Sequence, residues 1–168
     1  MPVSLYDASV PVYTQMLGAL DKVLEKAEAY AEARKFDARV LVQARLFPDM
    51  LPLASQVRIA CDAARAGTAR LAGIDFPKFE DNEQTLAELR QRIAGTLAFI
   101  AGVPRESVAG QEERDITIPL RDRKLEMKGQ AFLLHWSLPN FFFHVTTAYD
   151  ILRHNGLEVG KSDFLGRA

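Results

Sequence analysis

A chain of 168 residues that is 48% hydrophobic fits one domain over residues 1–168 and can bury a sizeable core. Its net charge of −1 gives no general electrostatic case for nucleic acid or an anionic membrane surface. A single cysteine, Cys61, excludes an internal disulfide, and neither a signal-peptide pattern at residues 1–7 nor a run of ~20 apolar residues is present, so the expectation is a soluble cytoplasmic protein.

The first helix is expected from Ser4 or Asp7 to Arg34. Tyr13, Met16, Leu17, Leu20, Val23, Leu24, Ala27, Tyr30 and Ala31 recur at spacings of three and four and make one apolar stripe. Residues 36–47 form a connector with a short helical piece at Val40-Leu41-Val42. A second helix is expected from Pro48-Asp49 to Leu71 or Ala72, ahead of Gly73. Pro52 falls in its first turn, where amides have no intrahelical acceptor to lose, and Asp49 could serve as N-cap or first-turn anion. Met50, Leu53, Ala54, Val57, Ala60, Cys61 and Ala64 make its inner stripe, and the alanine-rich stretch 60–69 implies close helix contact. Asp81-Asn82 reads as the cap of a third helix carrying Leu86, Leu89, Ile93, Leu97 and Ile100, which ends at Gly102. Glu88, Arg90, Gln91 and Arg92 are assigned to its outward face.

The pattern then changes period. Ile116-Thr117-Ile118-Pro119-Leu120 and Leu125-Glu126-Met127 flank the polar turn 121–124, a short β-hairpin signal in which Pro119 confines its strand to an edge. A helical piece near Ala131–Trp136 follows, and Pro139 starts a final helix to His154, with Gly156 as its left-handed stop. Together these elements describe an all-α four-helix bundle, with helices over 4–34, 48–72, 82–102 and 139–155 and a small β-hairpin inserted before the last.

His144 is the residue that points most directly at chemistry, because it sits in the apolar run Phe141-Phe142-Phe143-His144-Val145. It could centre a polar pocket between the second and last helices, or be a core histidine satisfied by Asn140, Gln56 or a backbone carbonyl. Asn140 lies one turn earlier and could instead cap the helix after Pro139. Gln56 borders the inner stripe of the second helix, and Asp49 could line the same bundle end. His154 fits the helix dipole, and His135 and Trp136 read as packing residues. Cys61 reads as a small buried hydrophobe, and Asp62 and Asp150 as solvated charges. No phosphate loop, Cys-x-x-Cys pair, His-Glu-x-x-His or Gly-x-Ser-x-Gly motif occurs.

The segment Leu138-Pro139-Asn140-Phe141-Phe142-Phe143-His144-Val145-Thr146-Thr147-Ala148-Tyr149-Asp150-Ile151-Leu152-Arg153-His154-Asn155-Gly156 resembles a domain-of-unknown-function branch of the DinB/YfiT-like superfamily. The stretches 47–53 and 56–62 and the ending Gly160-Lys161-Ser162-Asp163-Phe164-Leu165-Gly166 support the resemblance, which covers essentially the whole chain. It implies a four-helix bundle that is often a homodimer, and apolar positions such as Tyr6, Val10 and Val12 agree with self-association. In metal-binding members, three histidines hold a divalent ion, commonly zinc or nickel: one from the second helix and two, spaced four apart, from the last. Here His144 supplies one imidazole, while Asn140 and Gln56 stand where the others would be. Neutral amide oxygens are weaker ligands for zinc or nickel than imidazole. Three functions follow, in order of preference: a metal-free small-molecule-binding module with its pocket at His144, a structural or dimerisation protein, and a divalent-metal-dependent enzyme resembling the superfamily's thiol transferases. The first predicts that His144, Asn140 and Gln56 form the only polar cluster inside the bundle.

Overall fold

Four long helices carry the core of the computed structural model, which describes residues 3–167: α1 (Val10–Arg34), α3 (Leu53–Ala72), α4 (Leu86–Ala101) and α7 (Leu138–His154). Short helices α2 (Arg39–Gln43), α5 (Arg105–Val108), α6 (Gly129–Phe132) and α8 (Lys161–Phe164) connect or flank them. α3 is central, packing on α7 and α4, and α1 closes the bundle against α4. The stripes expected from spacing are the ones buried. Tyr13, Leu17, Leu24 and Ala27 of α1 have no exposed surface, nor do Leu53, Val57, Ala60, Cys61 and Ala64 of α3. Leu89 and Ile100 of α4 and Phe141, Ala148, Ile151 and Leu152 of α7 complete the core. Each large aliphatic side chain so removed from water contributes roughly 1.5–3 kcal/mol. Strands β1 (Asp115–Pro119) and β2 (Lys124–Lys128) form the expected antiparallel hairpin, pairing Ile116 with Met127 and Ile118 with Leu125. Ile116 and Ile118 face the core, and Pro119 lies at the strand's end, where its lack of a backbone N–H costs the ladder little.

Four element boundaries differ from those expected, three of them through proline. α1 starts at Val10, not at Ser4 or Asp7, because the ring of Pro11 would collide with the carbonyl of Asp7 in a helix begun earlier. α3 starts at Leu53, not at Pro48. Pro52 holds the N-cap position in extended conformation, and the residue before a proline is disfavoured in the helical region. Asp49 therefore caps nothing; it lies exposed in a turn closed by the Met50 amide donating to the Phe47 carbonyl at 3.0 Å. α4 starts at Leu86 behind a capping box, in which Glu88 N donates to Thr85 Oγ1 (3.2 Å) and Thr85 N donates to Glu88 Oε2 (2.9 Å). Asp81-Asn82 is not the cap. Finally, α6, a π-helical turn at Leu133–Ser137 and α7 run on without a break, so Pro139 does not begin a helix and Asn140 does not cap one. The π turn shifts the hydrogen-bond register from four residues to five just ahead of Pro139, whose ring and missing amide would disrupt a regular ladder.

Candidate functional site

α3 and α7 run antiparallel, and their interface brings His144 against Gln56. Both are buried, with His144 8% and Gln56 2% exposed. Gln56 Nε2 donates to the Leu51 carbonyl at 3.0 Å, which orients the amide so that Oε1 faces the imidazole, 2.7 Å from His144 Nδ1. Nδ1–H is then the donor and Nε2 keeps its lone pair. Burial lowers the His144 pKa, so the ring is neutral near pH 7. Phe143 packs edge-on against it, with ring centroids 5.1 Å apart. Asn140 sits one turn away, half-buried, with no hydrogen bond to either partner among the described residues; it faces a neighbouring cleft instead. Asp49 has no hydrogen bond to the pair and stands apart from that cleft.

The cleft, of about 180 Å³, lies further along the same interface. Ile59, Asp62, Ala63, Ala66, Gly67 and Arg70 fall on one face of α3, and Phe132, Trp136, Ser137 and Asn140 oppose them from the helical rod. Its floor is hollow because Ala63, Ala66 and Gly67 have so little side chain. Gly67 is required by close approach: a Cβ there would lie 2.5 Å from Ser137 Oγ and 2.7 Å from Tyr13 Oη, which hydrogen-bond each other at 2.8 Å. Trp136 borders the cleft, and His135, expected to pack, is exposed. Arg70 is half-buried at the rim, where desolvation lowers its pKa. It makes no hydrogen bond or ion pair among the described residues, and the Phe76 ring centroid is 6.0 Å from its Cζ.

A second buried polar cluster overturns the expectation that His144 would centre the only one. Arg65 and Arg92 are 2% and 4% exposed. Arg92 Nη1 donates to Glu83 Oε1 (2.8 Å) and the Glu80 carbonyl (3.1 Å), while Nη2 donates to Asp62 Oδ1 (2.9 Å) and pairs with Asp81 (2.9 Å). Arg65 pairs with Asp62, donates to the Pro77 carbonyl at 2.6 Å and stacks over Phe79 at 3.7 Å. Arg58 Nε adds 2.7 Å to Glu83 Oε2. Thus Asp62, whose side chain stays 43% exposed, is paired with two arginines as well as solvated, and Arg92 does not face outward. Burial alone would raise the Glu83 pKa, but hydrogen bonds from Arg92 and Arg58 outweigh it and hold the carboxyl below its ordinary range. Together these contacts tie the strap 73–85 to α3 and α4. The Cys61 thiol, with burial pushing its pKa up to about 12, is no nucleophile.

A divalent metal does not fit these residues. No three His, Cys, Asp or Glu side chains gather in ligating positions among the described residues. Among the described residues the one hydrogen-bond partner of the His144 ring is the Gln56 amide oxygen, which already accepts from Nδ1, and His135 and His154 are exposed. No helix of the described residues is long and apolar enough to cross a membrane.

A family model described as a domain of unknown function (DUF1993) matches residues 5–165. The crystal structure of a DinB family member protein from Shewanella denitrificans is 46% identical, with a TM-score of 0.91 over 96% of this chain and 92% of that one. No curated protein matches the chain.

Proposed function

The chain belongs to the DUF1993 family, a branch of the DinB-like fold, and from that premise we propose that it is a metal-free module that binds a small molecule in the α3/α7 cleft. The observation that carries this reading is the cleft itself: a hollow over Ala63, Ala66 and Gly67, with Trp136 and Asn140 on its wall. Small-molecule sites join an apolar surface to a few convergent polar groups, and this one has that composition at small size. π-Helical turns occur frequently at functional sites, and Ser137, the last residue of this one, lines the cleft. In this reading the His144–Gln56 pair holds α3 and α7 in register one turn beyond Asn140, so that it shapes the cleft without touching the ligand.

Trp136 is the chain's single tryptophan, so its fluorescence reports on the cleft directly. Screening small polar and aromatic compounds by Trp136 fluorescence and thermal shift should yield hits in wild-type protein, and Ala66→Leu, which fills the floor, should remove them while the protein stays folded. Hits that survive Ala66→Leu, or an empty screen, would sink the cleft as the binding site. Stoichiometric zinc or nickel in protein purified without a polyhistidine tag would overturn the metal-free reading.

A further inference from the structure

We infer that the ligand of this cleft is a small organic carboxylate, anchored by Arg70. The inference rests on the binding reading above and adds the class of ligand. Charge selects an anion. The three arginines of the polar cluster that includes Asp62, namely Arg58, Arg65 and Arg92, are matched by Asp62, Asp81 and Glu83. Asp62, at the other end of the cleft, is therefore neutralised by the two guanidiniums it contacts. Arg70 is different: it is half-buried, yet none of its donors finds a protein acceptor among the described residues. Helix capping does not occupy it, because the Ala69 and Arg70 carbonyls at the end of α3 accept from Ile74 N (3.0 Å) and Gly73 N (3.3 Å). A partly desolvated guanidinium beside a concave surface gains most from a carboxylate, whose two oxygens match its fork.

Size and shape select the rest of the molecule. An apolar cavity of ~150 Å³ accepts a single benzene ring, so about 180 Å³ suits one ring or a short chain. The body of such a ligand lies over Ala63, Ala66 and Gly67, within reach of the Trp136 ring. The Asn140 side chain, which makes no hydrogen bond among the described residues, has both amide donors and its oxygen open to a polar substituent. One guanidinium suits a monocarboxylate; a phosphate dianion would call for further cationic donors, and the lining has none.

The test uses the intact protein, with benzoate, its neutral counterpart benzamide and the cation benzylamine, read by Trp136 fluorescence and thermal shift. Benzoate should bind the wild type at least about tenfold tighter than benzamide and more tightly still than benzylamine. Arg70→Met should remove that preference by weakening benzoate about tenfold or more while leaving benzamide unchanged, and Arg70→Lys should restore part of it. Benzamide binding as tightly as benzoate would overturn the carboxylate assignment and leave the cleft standing. Benzoate binding that resists Arg70→Met but is lost in Ala66→Leu would overturn the Arg70 anchor alone. Benzoate binding that resists both variants would put the site elsewhere and overturn both readings. Failure of all three probes to bind would reject this ligand class, whereas hits of other chemistry that Ala66→Leu removes would still uphold the cleft.

Discussion

His144 is neutral in the fold because burial lowers its pKa below the ordinary 6.5. The unfolded chain then takes up the proton more readily than the folded one. The stability this residue contributes is therefore present above about pH 6.5 and is lost as the pH falls below that value towards the lowered pKa of the folded state. We expect the wild-type melting temperature to drop from about pH 7.5 to about pH 5.5, and His144→Phe, though less stable overall because Gln56 loses its partner, to show a shallower slope. Parallel slopes in the two proteins would acquit His144. Glu83 is the second residue whose environment sets its role, since it accepts from both Arg92 and Arg58. Glu83→Ala should destabilise by about 3 kcal/mol in urea unfolding, because it leaves two buried or half-buried guanidiniums short of an anion. A loss below about 1 kcal/mol would mean the strap carboxylates share the charge redundantly. Arg92 was legible in principle: it lies three residues after Leu89 and four before Thr96, on the buried face. The usual exposure of arginine argued against that position, and only the acidic strap, distant in sequence, makes burial affordable.

At the scale of elements, apolar periodicity locates all four long helices, while prolines and caps set where they start. Pro52 and Pro139 read as first-turn prolines in the sequence, Pro11 carries no such reading, and the three act differently. Pro11 delays α1, Pro52 delays α3, and Pro139 sits inside a continuous rod behind a π turn. That rod packs on α3, a contact between distant segments that local propensity does not encode. Gly67 records the same contact from the other side. Gly67→Ala would gain about 1 kcal/mol of helix propensity, but the new methyl meets Ser137 and Tyr13. Overpacking of about 1–3 kcal/mol and a disturbed buried hydrogen bond outweigh that gain. We expect a net loss of about 1–2 kcal/mol by urea unfolding and a perturbed Trp136 emission; a stabilised variant would show that the rod yields freely at its π turn.

For the whole molecule, the expectation of a homodimer stands as a proposal. Phe47, Leu51 and Phe143 are exposed large apolar side chains, as are Val40 and Leu134. Two-fold self-association is the commonest closed arrangement that would cover such residues. Light scattering should then give a mass well above 18.7 kDa that falls on dilution or on Phe143→Ser substitution; a constant 18.7 kDa species would remove the dimer.

Core membership was readable from the chain because burial in a helix follows a 3.6-residue period, which local spacing reveals: Leu53, Val57, Cys61 and Ala64 had to share a face whatever they packed against. The hairpin was readable for the same reason, with a period of two. Pairings between distant segments have no such period. The Gln56–His144 contact spans 88 residues and was approached only through resemblance. The Asp62–Arg92 contact spans 30 and was missed, as was the cleft, whose hollow arises only when small residues of α3 meet the π turn. Which polar groups find partners, and which, like Arg70 among the described residues, do not, is a property of packed surfaces, because a buried donor is satisfied by whatever the fold brings within 3 Å, not by its neighbours in sequence.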